Sequence, residues 1–130
     1  MRVFKLIVIS LFAFQSMTMC QNVKDENYIY KAEECDLLAQ FPEGNEKLSE
    51  FISTNFNWVQ GQITVSGNVF VSFTVNSNGS IDDVKLEKGL CTTCDMEAMR
   101  LIKSMPKWIP AKKDGKFVRS KMVIPINFSL

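Results

Sequence analysis

Histidine is absent from this chain of 130 residues. Its absence removes the commonest general base and zinc ligand, so Ser-His-Asp, Cys-His and His-metal chemistry are closed to the chain alone. Proline is scarce, four residues that all lie beyond position 41, which excludes an extended Pro-rich spacer within the sequence. Net charge is nearly absent too, at +1, and that balance argues against a dedicated nucleic-acid binder. Long apolar runs are missing: Leu6 to Phe14, broken only by Ser10, stops at Gln15, well short of the roughly 20 residues of a bilayer-spanning helix. What is present, 46% hydrophobic and 22% charged residues, fits one compact domain and leaves no room for two independent cores.

The first twenty residues read as an export leader. Arg2 and Lys5 precede the apolar run, and Gln15 to Cys20 turns polar and small, the layout of a secretory signal. One reading is a cut ahead of Gln21, with Thr18 and Cys20 as the small residues before it. The other is a lipoprotein signal with lipid on Cys20, which Met17, Thr18 and Met19 match poorly; such a lipid would be the only tie to a membrane. Without residues 1–20, thirteen basic residues face fourteen acidic ones. They are segregated: residues 22–98 hold thirteen Asp or Glu against five Lys, and residues 99–130 hold eight Lys or Arg against Asp114 alone. This pattern is either a pair of solvated flanks or a basic surface near the last strand that steers an acidic partner.

Residues 21–40 form a polar lead-in, with one short strand expected near Tyr28 to Ala32. From Asn45 the spacing of Leu48, Phe51, Ile52 and Phe56 predicts a helix, with Asn45 as cap and Glu46 in the first turn. Gln62 to Asn76 alternates as a half-buried strand, with Val69, Val71, Phe73 and Val75 on one face. Asn76-Ser77-Asn78-Gly79 supplies a turn, and Ser80 to Glu87 returns. Ile81 falls on the opposite parity to Val84 and Leu86, so a bulge at Asp82 or Asp83 is expected. A second helix is predicted from about Asp95, as cap, to Met105, burying Ala98, Leu101 and Ile102 and stopped by Pro106, with Met96 and Met99 as packing residues. A turn at Asp114-Gly115 leads into a last strand, Phe117 to Leu130, where Pro125 implies an edge position or a local break. Helix, hairpin, helix and strand make an α+β sandwich, two helices on one face of a small antiparallel sheet of about three strands.

These residues resemble the C-terminal domain of the TonB family of periplasmic energy transducers. The likeness is carried by Phe41-Pro42-Glu43-Gly44; by Gly67, Val69, Val71, Phe73 and Val75; by Gly79-Ser80; and by Asp95, Glu97 and Ala98. It continues through Met105-Pro106-Lys107-Trp108, Pro110 and Val118 to Ile124-Pro125-Ile126-Asn127-Phe128. The stretches around Trp108 and Phe128 resemble the Bacteroidetes branch. The resemblance implies a TonB C-terminal-like domain over residues 41–130, not an enzyme and without cofactor, that lends the edge of its last strand to a protein partner such as a TonB-dependent outer-membrane receptor plug. An unpaired strand edge suits strand addition. The expected contact residues are Lys116, Arg119, Lys121, Val123, Pro125 and Asn127, with Lys112 and Lys113 nearby to select an acidic flank or simply to guard the edge against aggregation. With a leader in place of a membrane anchor and spacer, the expectation is a stand-alone periplasmic module, monomeric or weakly dimeric, with no nucleic-acid or metal site.

Cys35, Cys91 and Cys94 remain in the expected mature chain. Cys91-Thr92-Thr93-Cys94 precedes a helix, whose positive end favours a thiolate, so an exported thiol-disulfide oxidoreductase is the alternative function. Export favours a structural disulfide, either Cys91 to Cys94 or a bridge from Cys35 to one of them.

Overall fold

The computed structural model describes residues 25–57 and 65–129; the expected leader, Cys20, Gln62 and Leu130 lie outside the described residues. The chain runs through strand β1 (Ile29–Tyr30), a 3₁₀ turn (Ala32–Glu34), helix α1 (Asn45–Asn55) and strands β2 (Gly67–Val75) and β3 (Ile81–Lys88). Helix α2 (Thr92–Lys103) and strands β4 (Ala111–Lys113) and β5 (Lys116–Phe128) complete it. The α+β class is the expected one, but the sheet is larger and mixed. Its order is β1-β5-β2-β3, with β4 also paired to β5, and β1 runs parallel to β5 while the other pairs are antiparallel.

Alternation explains the core. Val69, Val71, Phe73 and Val75 of β2 are at most 1% exposed, and Ile124, Ile126 and Phe128 of β5 lie on the same side, in register with Val71, Val69 and Gly67 respectively. Over them α2 lays Cys94, Ala98, Leu101 and Ile102, all fully buried; each large apolar side chain so placed contributes about 1.5–3 kcal/mol. Helix α1 covers the sheet less completely, through the partly buried Leu48, Phe51 and Ile52. The expected bulge is present: Thr74 pairs with Asp82 and Ser72 with Lys85, and Asp83 takes φ 50°. The extra residue turns both Ile81 and Val84 toward the core. On the other face Ser72 and Thr74 are buried as well.

Several local expectations are corrected. Gly44, not Asn45, caps α1; Glu43 and Gly44 both adopt positive φ, a sharp entry that leaves Phe41 buried and makes Asn45 the first helical residue. Helix α2 starts three residues early because Cys91 is its cap: its sulfur accepts from the Cys94 amide at 3.1 Å. Asp95 instead accepts from the Leu90 amide at 2.9 Å. Met96 is 68% exposed, outside the packing. The lead-in strand is only two residues long before the 3₁₀ turn begins. β4, three residues long, is too short for alternation to show in the sequence.

Trp108 ties the sheet to the segment before α1. Its ring meets Phe73 and Phe41 edge-on, at 5.1 and 5.8 Å between centroids. Its amide donates to Gly79 O at 2.9 Å. Gly79 has φ +89°, and a Cβ there would lie 2.2 Å from Trp108 O, so the β2–β3 turn admits only glycine without rearrangement.

Candidate functional site

Strand β5 is thirteen residues long, more than its neighbours can cover. β2 pairs with it from Ser120 to Phe128 and β4 from Lys116 to Val118. β1 reaches only Arg119 and Ser120. Two features give the direction of the backbone groups. Lys113 and Lys116 close the two-residue turn Asp114-Gly115, where the flanking pair of a hairpin exchanges its hydrogen bonds; the even-numbered residues of β5 therefore face β4 and β2. Pro125, opposite Phe70, lacks an N–H and is tolerated where that group would point away from the ladder. Both place the N–H and C=O groups of Lys121, Val123 and Asn127 on the far side of β5, which beyond Ser120 has no strand partner among the described residues.

The side chains of these residues share one face. Lys121, Val123, Pro125 and Asn127 are all exposed, opposite Thr74, Ser72, Phe70 and Asn68. Val123 is 49% exposed and Phe117, on the same face, 51%. Asn127 Nδ2 donates to Asn68 Oδ1 at 2.9 Å. Lys121 Nζ lies 3.3 Å from Glu87 across β2. A hydrogen bond from Ser72, then the Lys121 contact, hold the Glu87 carboxyl below its ordinary range. Lys116 is exposed at the hairpin turn. Arg119 is already engaged: Nε donates to Asn76 Oδ1 at 2.9 Å and Nη1 to Asn27 O at 3.0 Å. The structure thus gathers four of the six expected contact residues on the far edge of β5 and sets Lys116 and Arg119 at its upper end. At the lower end a groove of about 480 Å³ runs between α1 and β5, lined by Ile52, Phe56, Pro125, Ile126 and Asn127 with three serines.

The two charged flanks meet. Asp36 accepts from the Asp114 amide at 2.8 Å and lies 3.6 Å from Lys113 Nζ, while Lys112 Nζ sits 4.9 Å over the Phe117 ring. Among the described residues Cys91 and Cys94 form a disulfide and Cys35 is free. Cys94 is fully buried. Burial, then the neighbouring charges of Glu34 and Asp36, push the Cys35 thiol up, which makes it a poor nucleophile. Among the described residues no group of three His, Cys, Asp or Glu side chains is arranged to hold a metal ion. No helix among them is long and apolar enough to cross a membrane.

The sequence from 62 to 130, more than half the chain, matches the family model of the Gram-negative bacterial TonB protein C-terminal domain. The chain belongs to the TonB C-terminal family. Among solved structures it is similar to the Helicobacter pylori TonB C-terminal domain (residues 179–285), at 30% identity and TM-score 0.50, covering 65% of this chain and 78% of that one. A shorter form of the same domain (residues 194–285) gives 31% identity and TM-score 0.48, covering 65% and 90%. No curated protein sequence matches significantly. Neither β4 nor the Asn76 hub is legible in the sequence. Asn76 joins the turn to Arg119 and donates to Asp82 Oδ2 at 2.6 Å and to Ser80 Oγ at 3.0 Å; its only sequence signal was its place in the turn.

Proposed function

We propose that this chain is an exported, periplasmic TonB-type docking module, not an enzyme. It binds an extended segment of a protein partner, such as the plug of a TonB-dependent outer-membrane receptor, and in that setting serves energy-coupled transport. The segment adds as a strand to the far edge of β5, pairing with Lys121, Val123 and Asn127 beside Pro125, with Lys116 and Arg119 flanking the upper end. One observation carries the reading: β5 outruns its neighbours and directs a row of backbone groups outward where no described strand meets them. Backbone pairing supplies affinity and side-chain chemistry supplies selection. Lys116, exposed beside Lys113, favours an acidic flank on the partner.

The test is calorimetric titration of the full chain with synthetic receptor-plug peptides. Binding is expected, with amide-exchange protection at Val123 and Asn127 and about tenfold weaker affinity for Val123→Pro, the loss of one hydrogen bond. If no plug peptide binds, or if protection appears elsewhere on the surface, the reading fails. Thiol-exchange activity lost in Cys94→Ser, without peptide binding, would favour the oxidoreductase alternative.

A further inference from the structure

The lead-in already places a strand where a partner strand would go. β1 pairs in parallel with Arg119 and Ser120, continuing upward the same edge that Lys121 to Asn127 leave open. Its approach is held by Arg119 Nη1 on Asn27 O. Beyond the 3₁₀ turn the Asp36 amide donates to Lys112 O at 2.9 Å, and the Asp36 carboxylate holds Lys113 and the Asp114 amide. Asp25 and Glu26 line one cleft with Lys113, Lys116 and Arg119. An acidic, extended segment of this chain thus occupies the upper part of the surface proposed for an acidic, extended segment of another.

The attachment is shallow. No residue from 25 to 38 is buried, whereas Ala39 and Phe41, at 4% and 5% exposure, are anchored in the core. The segment can lift from the sheet while its root stays fixed, the signature of a low-stability unit. Tethering compensates for shallow contact, because the root keeps the segment at a high effective concentration near the edge.

We propose that residues 25–36 are a tethered competitor for the docking edge, an internal stand-in for an acidic partner segment that lies parallel to β5. A partner pairing only from Lys121 to Asn127 leaves the stand-in seated. One that extends to Arg119 must displace it, and its apparent affinity falls in proportion to the undocked fraction. This rests on the reading of β5 as the docking edge.

The experiment compares the full chain with an Ile29→Pro/Tyr30→Pro double variant, which cannot pair as a strand, and with Asp36→Ala, which frees Lys113 and the Asp114 amide. The probes are an acidic receptor-plug peptide long enough to span Asn127 to Arg119, so that it must meet β1, and a synthetic peptide of residues 24–31 of this chain, titrated at low salt. With the lead-in docked about nine-tenths of the time, the double variant binds the plug peptide about tenfold more tightly than the parent, and Asp36→Ala falls between them. Equal affinities overturn the competitor and leave the docking edge standing. Weaker binding by the variants also overturns it, since the lead-in would then belong to the docking surface. Binding of the 24–31 peptide by the double variant but not the parent, with no plug peptide bound, shows that the lead-in occupies the edge but refutes the docking reading, and the competition falls with it. Binding of neither peptide to any of the three proteins overturns both.

Discussion

Proline substitutions at neighbouring positions of β5 separate the two edges of that strand, and the outcome follows from the register. Ile124 faces β2 opposite Val71 and is 8% exposed. Ile124→Pro removes a ladder N–H, leaves a buried carbonyl on β2 without its donor, and truncates a core side chain. The unsatisfied group costs about 1–3 kcal/mol and the lost apolar volume about as much again, so a loss of about 4 kcal/mol is expected. Val123, one residue earlier, directs its N–H outward and its side chain to solvent. Val123→Pro therefore deletes no bond within the protein, as Pro125 already does not, and should cost about 1 kcal/mol or less. Urea unfolding followed by the fluorescence of Trp108, buried between Phe41 and Phe73, measures both changes. Equal destabilisation by the two prolines, or a larger effect at Val123, would refute the assignment of β5's backbone groups to its two sides and with it the open edge.

Three further outcomes follow from particular contacts. Gly79→Ala combines a positive φ, worth about 1–2 kcal/mol against a side chain, with a Cβ driven into Trp108 O; a loss of about 3 kcal/mol in thermal or urea unfolding is expected, and a change below 1 kcal/mol would contradict the packing of the turn on Trp108. Burial pushes the Glu97 carboxyl up, but the hydrogen bonds from Arg100 and the Asn57 amide, with the Arg100 charge, outweigh it and hold the group below its ordinary range. A lowered folded-state pKa stabilises above the unfolded value and is lost as pH falls through the folded one. Acid melts of Glu97→Gln should therefore lack part of the parent's loss of stability below the ordinary carboxylate range, and identical pH slopes would count against it. Reducing Cys91–Cys94 opens a loop of only a few residues, so the melting free energy should fall by about 2 kcal/mol while peptide binding at the distant β5 edge is unchanged; loss of binding on reduction would tie the disulfide to function.

The elements legible from the sequence are those with many repeats of one period. Val69 to Val75 gives four successive alternations and Ala98 to Met105 two helical turns, enough for the pattern to dominate. The caps were misplaced because capping is local geometry: Asn45 and Asp95 have the right side chains, but positive φ at Glu43 and Gly44 and the sulfur of Cys91 put the helix starts elsewhere. The open edge of β5 was half legible. Pro125 marks it, but whether β5 lay outermost depended on β1, two residues whose pairing is set by Arg119 and by Asp36 about ninety and eighty positions from their partners. No local pattern encodes such contacts. The charge split was visible, but its consequence was not, since acidic and basic stretches read as opposite flanks until the fold brings them together.

Pro125 gives the open edge a polarity that a run of ordinary residues would lack. Lys121, Val123 and Asn127 each offer an outward N–H and C=O, whereas Pro125 offers a carbonyl alone. A strand laid along this edge meets donors above and below and none at Pro125, so one of its carbonyls faces the proline ring in whatever register it lies. The gap penalises pairing with a second flat edge, including that of another copy, which is the usual use of proline on an exposed strand. Below it the groove beside Ile52 and Phe56 lies next to Pro125 and Asn127, while β1 closes the upper end at Arg119 and Ser120. On the docking reading, binding along this edge is shaped by where the backbone withholds a bond as much as by where it offers one.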